Sequence, residues 1–286
     1  MPKQNKGKGR VYPSDLTEKQ FERLLPYLPK AGKKAGKAGR PPADLKKVVD
    51  AILYVTLGGI QWRMLPKEYP HWRTVYGYYS RWSASGAWER INALIVRQVR
   101  CRTRKKRKGG GTCPRAQRPT AGVVDSQSVK AAMQGGDDIG YDGGKNVKGR
   151  KRFILTDTLG LLLAVKVTAA SVDEREGAYR LIAKILSTDC LYKLCYRIKL
   201  VWADGGYSGQ DLKQWVEDCM CWAWEVVTRK DGQKGFRVIP RRWVVERTFA
   251  WLSANRRLAR DYERLPRNAE AFIYIAMIRL MLNRLD

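Results

Sequence analysis

Residues 151–171 read KRFILTDTLGLLLAVKVTAAS, and no other run limits the chain's options as much. Two β-rich segments flank residues 157–160, where Asp and Gly supply turn chemistry, so the run predicts a β-hairpin. The segments around it extend the pattern. TAGVVDSQSV reads as a buried strand that runs out at an acid, EGAYRLIAKIL as a helix, and IKLVWADGGY as a further strand. GQDLKQWVEDCM is helical, WAWEVVTR is a strand, and RRWVVERTFAWLSANRRL at 241–258 reads as a helix. Asn268 is expected to cap a last helix, AEAFIYIAMIRLML, whose apolar breadth implies burial against a sheet. The order β, β, β, α, β, α, β, α predicts an α/β fold, a mixed sheet flanked by helices.

The first part of the chain has a different period. Residues 1–15 are expected to form a disordered basic tail. Thr17 and Gln20 have capping-box spacing and open a helix to about Leu28. A basic Gly-containing loop follows, then a helix from Asp44 to the Gly58-Gly59 pair. RTVYGYYSRW alternates cations with large aromatics, and AWERINALIVRQVR is amphipathic. Residues 16–99 are thus compatible with a small helical, helix-turn-helix-like DNA-binding domain. Most of Trp62, Trp72, Tyr76 and Trp82 suit its core, which leaves Arg73, Arg81 and Tyr78 as candidates for contacts outside it. CRTRKKRKGGGTCPRAQRP combines like-charge repulsion with glycine entropy, so residues 100–119 are expected to link this region to a second domain at 120–286.

Charge narrows the function classes. The chain has 286 residues, with 56 Lys and Arg against 27 Asp and Glu, a net charge of +29. An excess spread along the whole length fits a polyanion, and nucleic acid is the expected partner. The six cysteines form no pair of C-x-x-C units and His71 is the single histidine, so a structural zinc site is not expected and reduced thiols are. No apolar leader or membrane-length run is seen, which predicts a cytoplasmic, nucleoid-associated protein with no membrane contact. No G-x-x-x-x-G-K-S/T is present, so no nucleotide cofactor is expected.

Two acids fall where apolar strands run out: Asp125 after Val123 and Val124, and Asp204 after residues 200–203. Open α/β sheets place ligands at such carboxyl ends. By pattern alone Asp204-Gly205 reads first as a turn, and Asp125 also suits an Asx-turn or cap. Glu246 has its own simple account, an i, i+4 ion pair with Arg242 on a solvated face. Against this, Arg242, Glu246 and Ser253 share a helical stripe close to Arg256 and Arg257, beside an apolar face at Val245, Phe249 and Leu252. Three carboxylates have a common use in phosphodiester chemistry. Two Mg²⁺ ions roughly 3.5–4 Å apart stabilise the attacking and leaving oxygens, and Mg²⁺ prefers oxygen ligands.

GVVDSQSVKAA, GYDGGKNVKGRKRFILTDTLGLLLAVKVTAASVDEREGA, VWADGGYSG and IPRRWVVERTFAWLSANRRLARDYERLP together resemble bacterial insertion-sequence transposases of the DDE class, in the insertion-sequence-five group. The likeness extends over nearly the whole chain, including residues 16–94. It implies an RNase H-like catalytic domain, cleavage and strand transfer on DNA, and Asp125, Asp204 and Glu246 as catalytic residues and metal ligands for two Mg²⁺ ions, with Mn²⁺ as substitute. It also removes the preference for a turn at Asp204. Of the broader class's Y-x2-R-x3-E-x6-K signature, Arg242 and Glu246 match, but Ile239 and Ser253 stand where Tyr and Lys belong. Phe153 stands where similar sequences often carry His.

On this reading the N-terminal helices bind terminal inverted repeats in double-stranded DNA and the second domain cuts, with target DNA as the other substrate. Arg242, Lys148, Arg150 and Lys151 are expected at phosphates, and Arg256 and Arg257 are turned toward DNA. Trp243 or Trp251 is a candidate to stack on it. Synapsis of two ends implies a homodimer on DNA. The alternative is a transposase-derived DNA-binding regulator or architectural protein that does not cut.

Overall fold

The computed structural model describes residues 10–29, 43–106, 111–133, 136–227 and 243–286. Among these, the helices are α1 (Glu18–Leu24), α2 (Leu45–Gly58), α3 (Trp72–Ala84), α4 (Ala87–Arg102), α5 (Glu174–Ser187), α6 (Asp189–Cys195), α7 (Gln210–Met220), α8 (Trp243–Ser253) and α9 (Pro266–Leu285). The strands are β1 (Arg104–Lys106), β2 (Thr112–Pro114), β3 (Ala121–Lys130), β4 (Gly140–Asp142), β5 (Val147–Asp157), β6 (Leu162–Ala169), β7 (Leu200–Ala203) and β8 (Ala223–Val226).

Local chemistry accounts for many of the boundaries. The capping box at α1 is complete: the Thr17 hydroxyl accepts from Gln20 N, and the Gln20 side chain accepts from Thr17 N. Asp44 caps α2, which ends on Gly59 in the left-handed conformation. Gly59 also has a packing reason, since a Cβ there would lie 2.9 Å from Arg256 Cβ. The last helix begins earlier than expected. Leu265 is its N-cap and Pro266 its first residue, because proline's fixed φ and missing N–H suit that position; Asn268 instead lies inside the helix and its carbonyl accepts from the Tyr79 hydroxyl at 2.7 Å.

The expected hairpin is β5–β6, and β3 pairs antiparallel with the other edge of β5, from Gly122↔Asp157 to Lys130↔Gly149. β7 then joins β3 in parallel, and β8 joins β7 in parallel. With β4 on β5, this makes a six-stranded mixed sheet. An antiparallel meander followed by two parallel strands reached through helices is the RNase H-like arrangement expected from the sequence.

Helix α5 lies directly on β5. A Cβ at Gly177 would stand 2.0 Å from the Phe153 ring, so this close approach requires glycine. Phe153 is fully buried there, a core residue under a helix.

The helical first part and the sheet share one continuous apolar core, from Leu16 through Phe272 to Leu285. α9 packs against α1, α2, α3, α4 and β6. Polar links cross as well: Asn92 Nδ2 donates to Leu162 O at 2.8 Å, and Arg102 donates to Leu285 O. The stretch expected as a linker carries the end of α4 and the β1–β2 ribbon, with residues 107–110 outside the described set.

One buried guanidinium ties three segments together. Arg150 on β5 is completely buried; its Nη1 donates to Asp261 Oδ1 at 3.0 Å and Glu263 O at 2.7 Å, and its Nη2 to Arg264 O at 2.7 Å. Nε also reaches Asp137 O at 3.1 Å. Removing it strands the buried Asp261 carboxylate, so Arg150→Ala is expected to cost about 3–5 kcal/mol, read as a lower denaturant midpoint. Arg150→Lys should not restore it, because one ammonium lacks the planar fork that serves several acceptors.

Candidate active site

Asp125 stands midway along β3, since that strand continues to Lys130 instead of running out at the acid. What ends near Asp125 is the pairing with β7. That ladder covers Ala121↔Leu200, Gly122↔Val201 and Val123↔Trp202. Continuing the register by two residues sets Asp125 beside Asp204, and the period-2 alternation of strands puts both on the same face. Farther along β3, Ala131 bridges Asp261 in parallel, so the β3 edge is open between those two pairings among the described residues.

Backbone amides orient both acids. Asp125 Oδ1 accepts from Ser126 N at 2.7 Å, and Asp204 caps a short 3₁₀ turn, its Oδ1 accepting from Gly206 N at 3.0 Å. Asp204 thus begins a turn and also presents a carboxylate beside Asp125. Each is half-buried.

Glu246 is in the first turn of α8 and is exposed. Val244, Val245, Thr248, Phe249 and Leu252 form the buried side of that helix, which packs on β3 and β5. The 3₁₀ turn that follows covers the Asp125 face. β5 alternation puts Arg152 on that face, and Arg152 Nη1 donates to Leu258 O at 2.9 Å. Burial pushes the Arg152 guanidinium down to about 10, opposed by Asp261. The expected helix over 241–258 breaks after Ser253, where Asn255 Nδ2 turns back to Trp251 O at 3.1 Å and Leu252 O at 3.2 Å. Ser253 lies on the Glu246 stripe with its hydroxyl donating to Ala250 O at 2.9 Å.

The acids match hard divalent cations in donor chemistry. Among the described residues, no three His, Cys, Asp or Glu side chains stand close enough together to hold a metal ion. The pairing register therefore joins Asp125 and Asp204, while Glu246 is presented from a separate element.

The expected DNA contacts divide by burial. Lys148, Arg73, Arg81 and Arg256 are exposed, and Tyr78 is half-buried with the Arg81 guanidinium 4.8 Å from its ring centre. Trp243 is 44% exposed, with Arg247 4.4 Å from its ring centre. Three expectations are corrected. Arg150 is consumed by the clamp described above, Lys151 is buried between Glu174 at 3.2 Å and Asp142 at 3.4 Å, and Arg257 is buried on Glu263. In each case the side chain satisfies an internal carboxylate, because a buried acid needs a partner more than a solvated phosphate does. Trp251 is half-buried and its ring already serves Arg247 and Arg284, at 4.7 and 4.5 Å. Arg242 lies outside the described residues.

The sequence reading missed a polar layer beneath the acids. Glu174, the first residue of α5, holds Lys151 and lies 3.4 Å from Ser126 Oγ, next in chain to Asp125. Tyr207 is buried nearby; desolvation first, then the Asp125 charge, push its hydroxyl well above its ordinary range, so it stays neutral. The acids of SVDEREG are also what a helix start requires, so no local signal set Glu174 apart.

All six cysteines are free. No helix of the described residues is long and apolar enough to cross a membrane.

An RNase H-like sheet with paired acids on adjacent parallel strands defines the class, and comparison with known families gives the particular one. Residues 116–281 match the "Transposase DDE domain", and residues 16–92 match "Putative transposase of IS4/5 family". The chain belongs to the DDE transposase family, in its IS4/5 group. It is 30% identical over 116 residues to a Sinorhizobium fredii protein named "Uncharacterized protein y4sN", covering 35% of this chain and 90% of that one. It is 31% identical over 138 residues to "Putative transposase for insertion sequence element IS402" of Burkholderia cepacia, covering 48% of this chain and 64% of that relative. No solved structure matches.

Asp142 provides a pH test of the polar layer. Burial acts to raise its carboxyl, but the Ser128 hydroxyl at 2.5 Å, Lys145 N at 3.1 Å and the Lys151 charge outweigh this and hold it below the ordinary range. A depressed folded-state value stabilises above the unfolded value of about 3.9 and loses that contribution as pH falls through the folded value. Thermal midpoints of wild type and Asp142→Asn are therefore expected to differ at neutral pH and to converge below about pH 4.

Proposed function

We propose that this transposase cleaves DNA at the terminal inverted repeats of an insertion element and transfers the ends to target DNA, using Asp125, Asp204 and Glu246. The observation that carries this reading is the β3–β7 register, which brings Asp125 and Asp204 to one face of the sheet. Asp125 and Asp204 would hold Mg²⁺, or Mn²⁺ in its place, with Glu246 completing the set once α8 is drawn in against DNA, and two ions held there would supply positive charge to the attacking and leaving oxygens of a phosphodiester.

The chain's own groups do the remaining work. Ser126 N–H and Gly206 N–H fix the orientation of the two aspartates before DNA arrives. Tyr207, kept neutral beside them, adds no competing charge. Arg256 holds a phosphate near the cut and Lys148 one farther along β3, Trp243 offers a face to a base, and Arg73, Arg81 and Tyr78 contact the repeat. A homodimer brings two ends together, and the protein acts at the nucleoid in the cytoplasm.

The test is incubation with end-containing DNA and Mg²⁺ or Mn²⁺. Wild type is expected to cut, and Glu246→Gln, Asp125→Asn and Asp204→Asn to lose at least about a hundredfold, more than the 10–100-fold typical for a ligand's outer-shell partner. Equal cleavage by wild type and Glu246→Gln sinks the triad. Tight binding without cleavage by wild type favours a DNA-binding regulator.

A further inference from the structure

A groove of about 730 Å³ opens at the far end of β3, between that strand's last residues, β4, the start of β5 and Arg260. Its rim carries three cations, Lys130, Lys148 and Arg260, all exposed, and no acid is among the described residues that line it. Among the described residues none of the three is in an ion pair, whereas Arg150 and Lys151 on the same strand are consumed internally. The walls are mostly apolar. Met133 is fully exposed and Tyr141 is 56% exposed, two large apolar side chains left facing solvent in one place.

The groove is held open by backbone. Asp261 N donates to Lys130 O at 2.9 Å, and Ala132 N donates to Asp261 O at 2.8 Å, so the segment carrying Arg260 is fixed to the end of β3. The Tyr141 hydroxyl donates to Asn146 Oδ1 at 2.9 Å, which anchors the ring. A preformed site of this kind loses little entropy on binding.

Cations on the rim and apolar, aromatic walls are two demands that duplex DNA does not meet together. A duplex offers phosphates to the cations but keeps the flat faces of its bases stacked inside. An unpaired strand offers both, phosphates for Lys130, Lys148 and Arg260, and base faces for Tyr141 and Met133. Position agrees. Lys148 lies opposite Ala131, six residues beyond Asp125 along β3 and so on the same face of the sheet, about 20 Å away at roughly 3.3 Å per residue, a few nucleotides along a DNA strand.

We propose that this groove binds unpaired nucleotides of the DNA strand that runs past Asp125. The assignment rests on the reading of Asp125 as part of the cutting site, but its test does not. In metal-free buffer, the full chain is titrated into a labelled single-stranded oligonucleotide and into the same sequence as a duplex, with anisotropy as readout. Tyr141→Ala is expected to weaken single-strand binding about tenfold, since a base–aromatic stack is worth roughly 1–3 kcal/mol, and to change duplex binding less than about twofold. Lys148→Ala should make the single-strand salt dependence shallower by about 0.7 in slope. Both side chains are exposed, and unchanged melting of each variant checks the fold. Unaltered single-strand binding by Tyr141→Ala overturns the assignment, as does an equal loss on both DNAs. Active Glu246→Gln would sink the triad while leaving the groove result intact.

Discussion

Three residue pairs between β3 and β7 decide where the acids meet. The ladder from Ala121↔Leu200 to Val123↔Trp202 is short, yet a slip of one residue would move Asp204 to the opposite face of the sheet. The flanking burial resists such a slip. Val123 and Val201 face opposite apolar layers, and Trp202 donates Nε1 to Glu225 Oε2 on β8 at 2.7 Å. The same strand β3 has its whole other edge on β5, so the position of Asp125 is set by nine antiparallel pairs that run the length of the hairpin strand.

Buried charge supplies the second layer of specification. The Arg150–Asp261 pair, Arg100–Asp157 and Lys184 between Glu89 and Glu270 each join elements far apart in sequence, and Arg257–Glu263 closes the segment before α9 on itself. Such pairs stabilise modestly against an apolar core but penalise any arrangement that leaves one partner alone. They also reinterpret the composition. A net charge of +29 marks a nucleic-acid partner, yet part of the basic content is structural, and the cations available to DNA are those with no internal acid to satisfy.

The segment from α8 to α9 shows how the two layers cooperate. α8 presents Glu246 outward while Arg247 bridges Trp243 and Trp251 on its side. After the break at Ser253, Arg257 and Asp261 pin the chain to the helical region through Ile60 O at 3.3 Å and to the sheet through Arg150. The helical first part and the sheet therefore meet along this segment and along α9.

Patterns with a short reach were legible in the sequence alone: the Thr17 capping box, the α2 boundaries, the β5–β6 hairpin, the order of the main strands and helices without β1, β2, β4 and α6, and the motifs that identify the family. Each depends on residues a few positions apart, where propensity and turn chemistry act directly. The pairing of Asp125 with Asp204, the burial of Arg150, Lys151 and Arg257, and the Glu174 layer were decided only by tertiary structure. A basic residue in a strand carries no local mark of whether it faces a phosphate or a buried carboxylate. That choice is made by the distant acid that the fold brings against it.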